Sequence, residues 1–329
     1  MRLFVCRFGL LLALALFLTA GLAAQPSVIA ADSGRDVRID RRHAQGPVQP
    51  VTIPITVRWR DKNNQSELLD LSKLQILEDN DPQEVVSIRA VGTSDPLYLA
   101  ILIQDDVVSS IGNELRGLKE FIQRLPTGSK VMIGYLRSGS LQVRQKFTSE
   151  PDKAAKALRI PTGQAGNAPY NPYVQVLEAL KKFDAQPKGR RAILLVSDGV
   201  DIARGVTDSS PSQSIDLQRA IDSAQRRSVA VYSIYAPTSA VAGNGASLLT
   251  SNGQGSLNRL SDETGGRAFF QGTGAPVSFD PFLKETALLF RSQLALTYLS
   301  THLKKGFHRI KIIPGNPALT IEHPAGYTR

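Results

Sequence analysis

Between residues 97 and 294, short and almost wholly apolar runs alternate with segments whose apolar residues recur at helical spacing. The apolar runs are YLAILIQ (98–104), AILLVSDG (192–199) and VAVYSIYA (229–236). The helical patterns include 111–125, 173–183, 214–227 and 280–294. Strands that are apolar on both faces need helices on both sides, so this order predicts a doubly wound α/β domain with a mostly parallel sheet.

One antiparallel strand is expected in this sheet. KVMIGYL (130–136) and LQVRQKFT (141–148) flank the turn RSGS, a pattern that predicts a hairpin. Ligands of such sheets bind beyond the carboxyl ends of the strands, an edge that we call the rim. The connections expected at the rim are long and polar, which is typical of binding loops: 161–172, 200–213 and 237–256.

Alternating strand patterns also occur on both sides of this region. They lie at 51–60, 74–79 and 84–91 before it, and at 294–300, 307–314 and 318–323 after it. We expect the two groups to pair. The α/β domain (95–294) would then be inserted in a small β-rich module formed by 51–94 and 295–329.

The N-terminus has the pattern of a secretory signal peptide. Arg2 and Arg7 precede the apolar run LLLALALFLTAGLAA, and residues 1–24 are predicted to be removed. An uncleaved anchor helix is the alternative, but the apolar run is short for a membrane span. Residues 25–50 lack periodicity and predict a flexible arm.

The single cysteine, Cys6, lies in the signal, so the mature chain has no disulfide and no cysteine ligand. We therefore expect a secreted or periplasmic protein without a transmembrane segment.

The chain is basic, with a formal net charge of +10. Its Lys and Arg residues are scattered in short groups such as RRHAQ, KGRR and QRR, which favours a solvated surface. Weak attraction to anionic envelope polymers or lipids is the functional alternative. Nucleic-acid binding is not expected, because no aromatic and basic platform is present.

The order of these elements resembles a known family. A strand that ends in Asp105, a long helix, a hairpin, a helix and then VSDGVD (196–201) is similar to a von Willebrand factor type A domain. The flanking segments sharpen the resemblance to the acidobacterial type of such proteins, through PLYLAILIQDD and the tail GFHRIKI…GY. The resemblance covers nearly the whole mature chain. It implies a doubly wound α/β fold that binds protein partners and is not itself an enzyme.

Many members of this family hold a divalent cation at the strand ends through a motif Asp-x-Ser-x-Ser, a Thr from a later loop and a second Asp. Asp105, Ser109 and Asp198 match three of these positions, but Val107 replaces the first Ser. Ala168 and Pro169 stand near the expected Thr. Mg²⁺ demands octahedral oxygen coordination, and an isopropyl group removes one ligand.

We therefore predict a partial site with no cofactor, in which Asp105 and Asp198 cap backbone N–H groups and Ser109 or Ser110 caps the helix that follows. A Mg²⁺- or Ca²⁺-dependent adhesion protein is the first alternative.

Enzymatic patterns are weak by comparison. Asp105 and Asp198 are a possible acid and base pair, so a carboxylate-based hydrolase is the second alternative. The four histidines lie outside the α/β domain and are interpreted as isolated packing or surface residues. The Gly-rich stretch at 243–256 lacks the lysine of a phosphate loop and predicts a rim loop.

The partner is expected to be another protein, in the periplasm or outside the cell. Exposed aromatic, arginine and amide side chains are common at protein interfaces. The rim loops offer five candidates for such contacts: Tyr170, Asn171, Tyr173, Arg204 and Asn244.

Overall fold

The computed structural model describes residues 47–59, 73–91, 95–238, 246–272 and 278–329. The predicted signal peptide and residues 25–46 of the predicted arm lie outside these ranges. Within them, no helix is both long and apolar enough to cross a bilayer.

The strands, in chain order, are β1 Gln49–Trp59, β2 Gln75–Glu78, β3 Asp81–Ala90, β4 Tyr98–Gln104, β5 Lys130–Arg137, β6 Ser140–Thr148, β7 Arg191–Ser197, β8 Val229–Tyr235, β9 Ala268–Phe269, β10 Leu294–Ser300, β11 Phe307–Ile313, β12 Leu319–Glu322 and β13 Gly326–Thr328. The α-helices are α1 Leu115–Gln123, α2 Pro151–Lys156, α3 Pro172–Lys182, α4 Ile215–Arg226, α5 Ala246–Thr264 and α6 Asp280–Arg291. Short 3-10 segments span Ser109–Glu114, Ala165–Asn167, Phe183–Ala185 and Thr207–Ser209.

Six strands form the sheet of the α/β domain, in the order β6-β5-β4-β7-β8-β9. All neighbours are parallel except β5 and β6, which form the antiparallel hairpin. The prediction of an α/β fold with a mostly parallel sheet and one antiparallel strand is therefore confirmed. Counted from β4, this strand order is the doubly wound order 3-2-1-4-5-6.

Both faces of this sheet are covered by helices. Leu99, Ile101 and Ile103 of β4 pack with α1, α2 and α6. The alternate residues of the same strand, Tyr98 and Leu102 among them, pack with α3, α4 and α5. Because every residue of β4 is buried, a continuous apolar run is the sequence that this position requires.

A second sheet has seven antiparallel strands in the order β12-β1-β10-β3-β2-β11-β13. It combines strands from both ends of the described chain, and β10 lies between β1 and β3. Its buried face carries Ile53, Ile55, Ile76, Leu296 and Ile310. That this sheet is a module with the boundaries predicted above remains a prediction.

Two local predictions are wrong. Residues 246–256 were expected to belong to a rim loop, but they form the first part of α5. Ser109 was expected to cap the following helix, but the 3-10 segment begins at Ser109 and has no side-chain cap. Its start is fixed by the backbone instead, since the N–H of Val108 donates to the carbonyl of Pro237 at 3.0 Å.

Candidate functional site at the strand ends

Asp105 and Asp198 follow directly after β4 and β7, which are neighbouring parallel strands. Their backbones are tied together by Gln104, whose Oε1 accepts from Ser197 Oγ at 2.5 Å and from the N–H of Asp198 at 3.3 Å. The sheet therefore places both acids at the rim, as the sequence indicated. We call Asp105, Asp198 and the side chains that contact them the strand-end site.

The carboxylate of Asp105 is neutralised from within the protein. It has no exposed surface, and both its oxygens accept from the guanidinium of Arg159, at 2.6 Å for Nη1 to Oδ1 and 2.9 Å for Nη2 to Oδ2. Arg137 contributes a second positive charge, with Nε 3.7 Å from Oδ2. The N–H of Thr162 donates to Oδ1 at 3.2 Å. A two-point arginine pair of this kind is the strong, directional form of a carboxylate contact.

Arg159 is itself held in position. Its guanidinium lies over the ring of Tyr135, 4.1 Å from the ring centroid, and its backbone N–H and C=O both bond the Tyr135 hydroxyl at 2.7 Å. The hydrogen bond with Asp105 raises the pKa of Arg159 above its ordinary value, so its charge is permanent. The expected capping of backbone N–H groups by Asp105 is limited to Thr162, and its main partner is this arginine.

Asp198 is bound differently. Its Oδ1 accepts from the N–H of Val200 at 3.0 Å, which is the predicted contact with backbone, and its Oδ2 accepts from Thr238 Oγ1 at 2.9 Å. No described cation contacts it. Burial raises its pKa to about 6, against 3.8 for an ordinary aspartate. Thr238, which follows β8, was not among the residues that the sequence predicted for this site.

Asp106, the acid that directly follows Asp105, is also buried, at 2% exposure. Its Oδ1 has no hydrogen-bond partner among the described residues. Burial, with a smaller contribution from the charge of Asp105, raises its pKa.

Val107 fills the position at which the family places a hydroxyl. It is fully buried and pairs with Thr238 in an isolated β-bridge. Both oxygens of Asp105 are taken by Arg159, and those of Asp198 by Val200 and Thr238. The residues present therefore do not fit a divalent cation held as the type A resemblance implies. Thr162 donates its hydroxyl to the carbonyl of Asp105 at 3.0 Å.

The same contacts bear on the hydrolase alternative. A buried carboxyl with a pKa near 6, as at Asp198, has the property of a general acid. However, Asp105 would have to leave its arginine before it could act on a substrate. The arrangement does not favour a carboxylate pair that works on a bound molecule.

Of the five predicted partner contacts, two are exposed, two are buried and one lies outside the described residues. Tyr170 is 58% exposed, and Arg204 is also exposed. Asn171 caps α3 by accepting from the N–H of Tyr173 at 3.0 Å, and it donates to Asp216. Tyr173 is fully buried and donates to the carbonyl of Gly199 at 2.6 Å. Asn171 and Tyr173 are therefore wrong as free contact residues, because both are used inside the fold. Asn244 lies outside the described residues.

Two histidines that were interpreted as isolated are neighbours. His302 and His308 have ring centroids 5.7 Å apart, and His308 Nδ1 lies 2.8 Å from Asp79 Oδ2. The interpretation of each as a lone packing residue was therefore wrong. Their spacing of six in the sequence gave no indication of Asp79, which is 229 residues before His308.

No family model and no curated protein matches the chain. Similar solved structures include a von Willebrand factor type A protein from Catenulispora acidiphila, with 11% identity, 88% of this chain and 76% of that chain covered, and a TM-score of 0.40. Another is BatB from Bacteroides thetaiotaomicron, with 11% identity, 58% and 96% covered, and a TM-score of 0.36. A third is an aerotolerance-related membrane protein from Bacteroides fragilis, with 13% identity, 59% and 98% covered, and a TM-score of 0.37.

The α/β domain has the element order on which the resemblance to a von Willebrand factor type A domain rested, with acids after the first and the fourth of its strands in chain order. Likenesses this distant say nothing about ligand or partner. The acidobacterial subtype remains a prediction.

Proposed function

We propose that this chain is an exported, non-enzymatic protein-interaction module that binds another protein, in the periplasm or outside the cell, through the rim of its α/β sheet. We also propose that its adhesion-type metal site is degenerate. Export is supported by the signal-peptide pattern of residues 1–24. The degenerate site is supported by Val107 and by the arginine that holds Asp105.

Tyr170 is the single observation that favours the rim as the binding surface. Its ring is 58% exposed, and its backbone has a φ of 55°, a left-handed conformation that is rare for a bulky residue. The carbonyl of Tyr170 accepts from the N–H of Ile202 at 2.9 Å, which fixes the loop before α3 to the loop after β7. Strained backbone that the fold holds in place is often found at binding sites.

Further exposed apolar side chains lie in segments that reach the same edge of the sheet: Ile160, Val206, Ile215 and Leu248. Arg204 stands near Val206 in the loop after β7. Exposed aromatic and apolar groups beside arginine form the usual composition of an interface centre. The chemistry of the rim therefore fits a protein surface better than a small polar ligand.

A photo-crosslinking residue at position 170, in the protein produced in its own organism, tests the proposal. We expect one discrete protein adduct from position 170 and none from position 288, since Leu288 is at least as exposed, at 65%, but lies on α6. With the captured partner purified, Tyr170→Ala should weaken binding by at least about 2 kcal/mol, as expected for an aromatic anchor. Equal adducts from both positions, or unchanged affinity in Tyr170→Ala, would contradict the rim as the binding surface.

A further inference from the structure

Two turns of the seven-stranded sheet bring imidazole and carboxylate groups together. The β2–β3 turn contains Asp79 and Asn80, which have left-handed φ values of 50° and 75°. The connection from β10 to β11 contains His302, and His308 is the second residue of β11. Because β2 pairs with both β3 and β11, the two turns lie at the same end of the sheet. We call Asp79, His302 and His308 the turn cluster.

The donor atoms of the turn cluster converge. One ligand atom from each of the three residues lies within 4.8 Å of those of the other two. Asp79 Oδ2 is 2.8 Å from His308 Nδ1 and 3.8 Å from His302 Nδ1. Ligands that each lie about 2.0–2.2 Å from one tetrahedral ion are separated by roughly 3–3.5 Å. Shifts of less than about 1 Å would therefore bring all three atoms to coordinating distance.

The far nitrogens of both rings face oxygen atoms. His308 Nε2 lies 2.8 Å from the carbonyl of Lys304, and His302 Nε2 lies 3.1 Å from Asp81 Oδ2, although that pair forms no hydrogen bond in this structure. A histidine that binds a metal through one nitrogen commonly donates the other N–H to a carbonyl or a carboxylate. When His308 Nε2 donates to Lys304, a neutral ring turns the lone pair of Nδ1 toward the Asp79 carboxylate. A proton or a metal ion between these two atoms would remove the repulsion between the lone pair and the carboxylate.

A second carboxylate, Glu78, lies beneath the cluster and forms no salt bridge with a described Lys or Arg side chain. Glu78 has no exposed side-chain surface, and its Oε1 lies 3.6 Å from His308 Nδ1. Ser300 and Tyr327 donate hydroxyls to Oε1, whereas Oε2 has no hydrogen-bond partner within the described ranges, although the buried Tyr298 is nearby. A buried carboxylate oxygen without a partner is costly. The charge of this carboxylate adds to the negative potential beneath the turn cluster.

The cluster is held in advance of any ligand. Asp79 Oδ1 accepts from the N–H of Arg309 at 2.8 Å, and the N–H of Asp79 donates to the carbonyl of Arg309 at 2.8 Å. Gln83 fixes the other turn, since its Oε1 accepts from the N–H of Thr301 at 2.9 Å. His308 stacks on Tyr327 with ring centroids 5.4 Å apart. Rigid support of this kind is what a metal site needs from the residues around it.

We propose that Asp79, His302 and His308 form a binding site for a transition-metal dication of the Zn²⁺ class. Two imidazole nitrogens and one carboxylate suit such an ion, whereas Mg²⁺ and Ca²⁺ prefer oxygen ligands alone. Glu78 supplies negative charge beneath the ion. The bound ion joins the β2–β3 turn to the β10–β11 connection, residues more than 220 positions apart, and stabilises the folded sheet because it binds only that state.

Calorimetric titration of the full mature chain with Zn²⁺ tests the site, after removal of any affinity tag and dialysis against chelator and then metal-free buffer. We expect one Zn²⁺ per chain and no comparable heat with Mg²⁺. His302→Ala and Asp79→Asn should each weaken Zn²⁺ binding by at least about tenfold, a loss typical of a damaged metal site. Asp79→Asn keeps an oxygen for the N–H of Arg309, so its turn is preserved. Glu84→Gln, on β3 and outside the turn cluster, is the matched control and should bind as the unmodified chain does.

Thermal unfolding supplies the second readout. Zn²⁺ should raise the unfolding midpoint of the unmodified chain and of Glu84→Gln, but not of His302→Ala, while all apo forms unfold at similar temperatures. Absence of Zn²⁺ binding, equal binding of Mg²⁺, or a loss of less than tenfold in both site variants overturns the proposal.

Discussion

Asp105 and Glu78 are carboxylates without exposed side-chain surface, yet only one of them meets a permanent positive charge. Both oxygens of Asp105 accept from Arg159. Glu78 accepts hydroxyl groups at one oxygen, and its other oxygen has no hydrogen-bond partner in the described part of the chain. Both lie beside places where metal chemistry could occur, one at the rim and one beneath the turn cluster. The comparison teaches that an arginine inside the protein can supply the positive charge that a carboxylate would otherwise take from a bound metal ion.

The sequence pattern indicates the opposite of this difference between the two carboxylates. The family motif directs attention to the strand-end site, where coordination of a metal would require breaking an existing ion pair. The turn cluster has no motif in the sequence, but its imidazole nitrogens retain lone pairs, and the carboxylate of Glu78 lies beneath it. If the contrast is correct, removing a partner at the strand ends should destabilise the fold, whereas removing charge beneath the turn cluster should not.

Substitution of Arg159 should have the largest effect. Arg159→Met keeps much of the side-chain volume over Tyr135 but leaves Asp105 buried and with its main counter-charge removed. Removing one partner of a buried ion pair typically costs about 3–5 kcal/mol, and the 27% exposure of the Arg159 side chain places the expected loss near the lower end. Urea unfolding measures the change in free energy of unfolding.

Arg137→Met is the matched control. Its Nε lies 3.7 Å from the same carboxylate and its side chain is 35% exposed, so a loss of less than about 1 kcal/mol is expected. Equal losses in the two variants would show that Asp105 has no dominant partner and would remove the basis of the comparison.

Asp198 should make stability depend on pH. Its pKa is raised to about 6 in the folded state, above the 3.8 of an unperturbed aspartate, so the folded chain holds this proton more tightly than the unfolded chain. The resulting stabilisation is complete below about pH 4 and is lost as the pH rises through 6. The loss expected from this group is on the order of 2–3 kcal/mol. Asp198→Asn should therefore gain stability relative to the unmodified chain above pH 6.

The unfolding free energy of both proteins, measured from pH 4.5 to 8, checks this expectation. Asparagine can still accept from the N–H of Val200, so the turn after β7 is retained. A residual slope of the same sign is expected from Asp106, whose pKa is also raised by burial. If Asp198→Asn is less stable than the unmodified chain at pH 8, Asp198 is ionised and favourably paired there, contrary to its contacts in the structure.

Most of the α/β fold could be predicted, because its strands and helices are defined by local apolar spacing. The failure at α5 has a physical cause. The stretch SLLTSNGQGSLNRL contains Gly253, Gly255 and several Ser, Thr and Asn residues, all of low helix propensity. The helix forms because it packs against the strand ends: a Cβ at Gly253 would lie 2.1 Å from the carbonyl oxygen of Asp198. Tertiary contact thus overrides local preference.

The strand-end site could be predicted only in part. Asp105 and Asp198 follow apolar strands, so topology alone places them together. Arg159 is 54 residues from Asp105 and lies in no motif, and its role depends on how the chain after α2 folds back over β4 and β5. The turn cluster is harder still, since it depends on the register in which β11 pairs with β2. Long-range pairing of this kind leaves no periodic signal in the sequence.

Of these substitutions, Glu78→Gln should change the free energy of unfolding least. The amide oxygen can still accept from Ser300 and Tyr327, and the variant removes a buried charge from a carboxylate whose Oε2 has no hydrogen-bond partner among the residues described. That charge, together with burial, raises the pKa of the nearby Tyr298. In chelator we therefore expect Glu78→Gln to be equal in stability to the unmodified chain or more stable by about 1 kcal/mol, because a buried group exchanged for a neutral one of the same shape loses little. Urea unfolding, with Glu84→Gln as the control, measures this difference.

With Zn²⁺ present, the order of stability should reverse, since the variant lacks the negative charge beneath the ion. A loss in chelator as large as that of Arg159→Met would mean that Glu78 is already neutralised inside the fold, and the two buried carboxylates would then belong to the same class.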